Sequence, residues 1–319
     1  MVSWHTHAEI NQMYTDLCNQ YPEWCSIVSV GKTLQNNDIM MFRVGNPDGG
    51  RILYDSCLHG WEDIGAEIGY FWLKYLLENN ITWILEGCWW LMIPVVNYDS
   101  NSRGNANYAE CPTYGVDLNR NFVRGWSRKA CGYGPYGTST GASAASEPET
   151  QALRNVFQTY RPKYYINTHY GGWPWFGRYS AIPQSTVQPL CDRIVALASE
   201  MNVGCIWPFR STGVGGGSVA DAYTYGAISF LWECYGRGES PDSNCRIGVC
   251  WENNSSKNCC QAAIEMGKPE YAGSCGTTNP AYEYVENIVA PKSLPYFIAL
   301  SEFSAKYKSD EFEFNISLL

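Results

Sequence analysis

Basic residues are scarce in this chain. It carries 22 Lys and Arg against 31 Asp and Glu, for a net charge of -9 and a pI of about 5.0. That balance excludes nucleic acid and anionic membrane surfaces as natural partners. Long apolar runs are missing too. The longest, Cys88 to Val96, is too short to cross a bilayer. No basic stretch leading into an apolar one opens the chain, so a secreted form would have lost its signal. There is no C-x-x-C pair, which argues against zinc ribbons and thioredoxin-type redox sites. No internal repeat and no low-complexity segment occur, which leaves one ordered globular unit as the expectation.

What is present fits an enzyme-sized core. Hydrophobic residues make up 45% of the 319 and charged residues 17%, far from a disordered composition. The 14 cysteines are an even number, and disulfides are their expected use. Disulfides imply an extracellular, oxidising setting or the interior of a hyperthermophile. Buried thiols are the other use. Six of them (Cys234, Cys245, Cys250, Cys259, Cys260 and Cys275) fall in one Asn-, Ser- and Gly-rich stretch, read as a Cys-rich insertion over 234–275. Glycosylation patterns start at Asn80, Asn253, Asn254 and Asn315, a motif common by chance.

Strand-like and helix-like segments alternate. Thr6-His7-Ala8-Glu9 is a capping box, followed by Ile10, Met13, Tyr14 and Leu17 at helical spacing. Strands are predicted over 26–30, 39–44, 52–57, 89–96, 163–168 and 227–232, and helices over 64–78, 146–160 and 186–201. Ser146 is the expected N-cap of the second of these helices. Helical segments around 282–289 and 293–307 close the chain, interrupted by Pro291 and Pro295. Residues 97–145 read as a long irregular segment, which in a compact domain is usually functional. The expected fold is α/β: a single domain with a mixed, mostly parallel β-sheet covered by helices on both faces. Its bounds are 1–307, with 308–319 as a tail. In such folds sites form beyond the carboxyl ends of strands. His59, Asn97, His169 and Glu233 each follow a predicted strand, so they should meet at one crevice.

Histidine is scarcer than basic charge. Of four, His5 and His7 lie near the start, leaving His59 and His169 in the body. His59 and Glu62 form an H-x-x-E chelate, a weak signal alone. With His169 they make the two-imidazole, one-carboxylate set of a catalytic zinc site, which keeps one position open.

The segment Gly115-Val116-Asp117-Leu118-Asn119-Arg120-Asn121-Phe122 is more specific. In order with H-x-x-E before it, then Ser146-Glu147-Pro148-Glu149, Asn167-Thr168-His169 and Phe230-Leu231-Trp232-Glu233, it resembles the zinc metallocarboxypeptidases of the carboxypeptidase A type. The resemblance runs from about Thr6 to Tyr307. It implies one zinc ion held by His59, Glu62 and His169, with Glu233 as the catalytic glutamate. Arg103 is implied to polarise the scissile carbonyl, and Asn119 with Arg120 to grip a substrate's C-terminal carboxylate. Cys111 and Cys131 resemble a disulfide that brackets this loop. Val219 falls near the specificity position, which implies apolar C-terminal residues; Asp221, two residues on, could admit a basic one.

The chemistry is coherent with those roles. Amide hydrolysis needs a nucleophile, an electrophile and a proton shuttle, and a carboxylate beside an activated water supplies the last. Arg120 offers a planar fork that matches a carboxylate in bidentate fashion. Asp117 is expected to support the loop or a ligand imidazole. Two departures from the family stand out. Trp61 replaces an arginine between the ligands, and Thr212 stands where a substrate-capping tyrosine belongs, with Tyr223, Tyr225 and Tyr235 as substitutes. The expected function is removal of C-terminal residues from peptides or proteins, by a monomer. The alternatives are a same-fold zinc amidase or endopeptidase on peptidoglycan stem peptides or acyl-amino acids, and a non-catalytic binding module.

Overall fold

The computed structural model describes residues 5–134, 137–170, 175–203, 209–213, 216–235 and 285–306. Helix α1 (His7–Gln20) starts where the capping box places it: Thr6 Oγ1 accepts from Glu9 N–H, and the Glu9 carboxylate returns to the Thr6 N–H at 2.7 Å. Strands β1 (Cys25–Lys32) and β2 (Asp38–Gly45) form an antiparallel hairpin, turned through Asn36 at φ 68°. Then follow β3 (Gly50–Asp55), α2 (Ile64–Glu78), α3 (Thr82–Gly87) and β4 (Cys88–Ile93). Among its described residues the irregular segment holds a short 3₁₀ turn, Leu118–Arg120, and two isolated β-bridges, Val116 with Ser139 and Tyr133 with Thr138. After it come α4 (Pro148–Tyr160), β5 (Tyr164–Tyr170), β6 (Trp175–Tyr179), α5 (Gln184–Glu200), β7 (Phe209–Thr212), α6 (Ser218–Thr224) and β8 (Ile228–Tyr235). A π turn, Val285–Val289, leads into α7 (Ala290–Ser304).

The eight strands form one sheet in the order β1-β2-β4-β3-β5-β8-β6-β7. The central run β4-β3-β5-β8 is parallel, while β2 pairs β4 and β6 pairs β8 antiparallel. The sheet is therefore mixed, as the alternation implied. Its central strands are apolar on both sides because both faces are covered. Trp90 and Met92 of β4 join one core cluster, Leu91 and Ile93 the other. On the first face α1, α2, α5 and α7 bring Tyr14, Trp72, Ile194 and Phe297, with Trp72 and Phe297 stacked at 5.0 Å. On the second, α4 and α6 bring Leu153, Phe157 and Val219. Each such side chain stabilises the fold by roughly 1.5–3 kcal/mol.

Several details differ from the sequence expectations. Glu147, not Ser146, is the N-cap residue of α4, and the Ser146 hydroxyl donates to the Glu147 carboxylate instead. Pro295 does not break α7. Tyr296, Phe297 and Leu300 are fully buried there, which outweighs the ~3 kcal/mol an interior proline costs. Strands β6 and β7 and helices α3 and α6 have no strong sequence signature, being only 4 to 7 residues long. Cys111 and Cys131 are bonded, as the family resemblance implied. Cys18, Cys25, Cys57, Cys88, Cys191 and Cys234 are thiols, and all but Cys25 are buried. They serve as small core residues rather than as the cross-links expected. The expected insertion beyond 235 and the tail 308–319 lie outside the described residues.

Candidate metal centre

The parallel strands β3, β5 and β8 end on one edge of the sheet. Register places His169 of β5 opposite Glu233 of β8. Beyond β3 the chain turns sharply, with Cys57 at φ 51°, and delivers His59 and Glu62 to the same edge. Gly60 is required in that turn, because a Cβ there would lie 1.6 Å from the Ser100 carbonyl oxygen. Asn97 braces the turn rather than joining the site: its amide donates to Gly104 O at 3.0 Å.

Three donors converge. His59 Nδ1 lies 3.0 Å from Glu62 Oε2, His169 Nδ1 lies 2.6 Å from the same oxygen, and the two Nδ1 atoms are 3.1 Å apart. All three side chains are buried, and this is the one group of metal-holding geometry among the described residues. Two imidazoles and a carboxylate match the donor set of catalytic zinc. The far atoms of each donor are also held, as ligands of a metal usually are. His59 Nε2 lies 3.1 Å from Asp117 Oδ1, His169 Nε2 lies 2.5 Å from Asn167 Oδ1, and Trp61 Nε1–H donates to Glu62 Oε1 at 3.3 Å. Residues and chemistry therefore fit a zinc ion.

The carboxyls around this cluster differ in charge. Burial alone would raise Glu62, but His59 and His169 outweigh it and hold its carboxyl well below the usual range. Asp117 is likewise held low against burial, by Arg103 and His59; Arg103 Nε donates to its Oδ2 at 2.9 Å. Arg103 Nη1 also stands 3.9 Å from Glu62 Oε1. Glu233 goes the other way: burial, then the charge of Glu62, push its carboxyl up. Its Oε2 is buried and has no hydrogen-bond partner.

The remaining sequence candidates are placed as follows. Asn119 is buried; its Oδ1 accepts from Ser218 N–H at 3.0 Å and its Nδ2 lies 3.1 Å from His169 Nε2. Arg120 is half-buried and donates to the Asn119 carbonyl. Val219 is fully buried in the second core cluster, one residue past the Ser218 contact with Asn119. Asp221 is committed elsewhere: Arg154 Nε reaches its Oδ2 at 2.7 Å, and Arg124 N–H donates to its Oδ1. Of the candidate tyrosines, Tyr223 packs under the Arg124 guanidinium at 5.2 Å, Tyr225 OH accepts from Arg154, and Tyr235 sits in register with Tyr170. Asn167, Asp55 and the Trp61 contact escaped the sequence reading. An Asn two residues before a candidate ligand histidine, on the same strand face, was the available signal for Asn167.

The sequence profile of the zinc carboxypeptidases matches residues 10–227, and the chain belongs to that family of metallopeptidases. Carboxypeptidase B of Bos taurus is 25% identical over 193 residues, 52% of this chain and 46% of that protein. Mast cell carboxypeptidase A of Mus musculus is 25% identical over 197 residues, with the same shares covered. The chain spans about half the length of the curated relatives it matches. Bovine thrombin-activatable fibrinolysis inhibitor, solved with a tick carboxypeptidase inhibitor, superposes with a TM-score of 0.70 at 17% identity, covering 95% of this chain and 98% of that one. Carboxypeptidase A of Helicoverpa armigera gives 0.69 at 16% identity, covering 95% and 74%. At these identities the superpositions speak for the fold alone.

Proposed function

We propose that the chain is a zinc-dependent carboxypeptidase acting on the C-terminal bond of peptides and proteins. The observation that carries this reading is the meeting of His59, Glu62 and His169 next to a glutamate, Glu233, with one unpartnered buried oxygen. Zinc bound there supplies a Lewis acid and acidifies a water. Glu233 takes a proton on its open oxygen and passes it to the leaving amine. Arg103, steadied by Asp117, stabilises charge developing on the scissile carbonyl oxygen, an effect worth ~3 kcal/mol. Arg120 and the Asn119 amide bind the terminal carboxylate, which is costly to bury without such partners.

An apolar terminal side chain fits best. Val219, expected at the specificity position, is fully buried in the core and offers a substrate no surface, so the preference rests on Asp221, whose charge that could have met a basic residue is already neutralised by Arg154. Residues 1–307 form the catalytic unit in this reading, with 234–275 as its insertion and 308–319 as a tail, working as a secreted monomer. The Cys111–Cys131 bond supports the oxidising setting.

A peptide ending in Leu or Phe and the same peptide as its C-terminal amide test the reading. The free acid should be trimmed one residue at a time and the amide left nearly intact, with both reactions stopped by a chelator. Equal rates on acid and amide would rule out carboxylate recognition.

A further inference from the structure

Helix α1 brings one more imidazole to the loops of the proposed centre. His7 stands at the first position of α1, and its two ring nitrogens face backbone carbonyls of two different loops. Nε2 lies 2.6 Å from Gly60 O, in the turn between His59 and Glu62. Nδ1 lies 3.1 Å from Tyr98 O, in the loop that leads to Arg103. Carbonyl oxygens only accept, so each contact needs an N–H on the ring; the cationic ring supplies both and the neutral ring one.

The two loops also touch each other here. Gly60 N–H donates to Ser102 O at 2.8 Å, and within the turn Glu62 N–H donates to His59 O at 2.9 Å. At the base of the same loops, Asn97 N–H donates to Cys57 O at 2.9 Å. Gly60 is buried, and among the described residues no other donor reaches its carbonyl. Removing the imidazole leaves a buried acceptor unpaired, which costs more than the bond itself contributes. His7 is itself firmly placed. The capping box of Thr6 and Glu9 fixes its turn, and Ile10, Tyr14 and Leu17 seat α1 in the core.

We infer that His7 is a positioning residue: it anchors both loops to α1 and fixes the backbone between His59 and Glu62. Those two side chains then keep the spacing that a metal ion demands, which tolerates only small errors in distance. The inference rests on His59 and Glu62 being metal ligands.

Three variants separate the contacts. His7→Ala removes both. His7→Gln places an NH2 near Nε2 and keeps Gly60, whereas His7→Asn places one near Nδ1 and keeps Tyr98. Amide hydrogen exchange of the metal-free protein reads the turn without any ion. Gly60 N–H should exchange about 10-fold faster in His7→Ala and at its natural rate in His7→Gln. Leu17 N–H, in α1, should be unchanged in both. Zinc affinity, measured by competition with a chelator, should fall about 10-fold in His7→Ala and recover in His7→Gln. An unchanged Gly60 rate in His7→Ala, an equal acceleration at Leu17, an unchanged zinc affinity, or no recovery in His7→Gln overturns the inference. Should His7→Ala fail to fold, His7→Asn takes its place with the same expectations. A natural protein that binds no zinc overturns the metal site, while Gly60 exchange still tests the anchor.

Discussion

Glu233 and Asp117 are carboxyls near the same two imidazoles, and their surroundings send them in opposite directions. Asp117, held low by Arg103 and His59, stays an anion that orients the His59 ring. Glu233 has an open oxygen and a raised affinity for a proton, which suits a shuttle. Glu233→Gln should keep zinc and lower kcat about 100- to 10,000-fold; unchanged turnover at full zinc occupancy would exclude Glu233 as the general base. Asp55 provides a pH signature. Burial pushes it up to about 7 from 3.8, against its hydrogen bonds to Asn167 and Tyr165. The folded state then holds this proton more tightly than the unfolded chain, so its contribution is full in acid and lost as pH rises through 7. Thermal melts of the metal-free protein should show stability falling over that window, and Asp55→Asn should flatten the fall; an unaltered slope in the variant contradicts the assignment. His59, Glu62, His169 and Glu233 were legible because imidazoles and acids next to apolar strands are costly without a task. Asn167 was not, because its partner Asp55 lies 112 residues away in sequence.

At the scale of elements, the loop proposed to face substrate is built by contacts between segments far apart in the chain. Phe122 N–H donates to Gly216 O, and Gly216 N–H donates to Arg124 O, locking the Asn119-Arg120 turn against the start of α6. Gly216 has φ 74°, and a Cβ there would stand 2.6 Å from the Arg120 carbonyl oxygen. Gly216→Ala should therefore cost on the order of 1–2 kcal/mol in stability and raise KM more than it lowers kcat. A steady-state analysis in which KM is unchanged would detach this loop from substrate binding. The long helices α2 and α5 and the central strands were readable from periodicity, since each buries a continuous stripe. Helices α3 and α6 and strands β6 and β7 were not, because segments of one or two turns take their structure from neighbours. The Glu147 and Glu149 side chains show why residues 104–107 are ordered without regular structure: Asn105 Nδ2 donates to both carboxylates.

Across the whole molecule, strand alternation with helices pointed to a mixed sheet, but not to its order. Order depends on which edges pair, and β6 and β7 extend the sheet beyond β8 through contacts with no local signature. Function follows from the parallel centre, where the carboxyl ends of β3, β5 and β8 share one edge. That arrangement collects candidate ligands separated by about a hundred residues into a cluster within 4.8 Å. An anomalous-scattering map of zinc-soaked crystals, recorded across the zinc absorption edge, tests this most directly. One peak is expected, in contact with His59 Nδ1, Glu62 Oε2 and His169 Nδ1 and beside Glu233. A strong peak elsewhere with none among these three donors would contradict it.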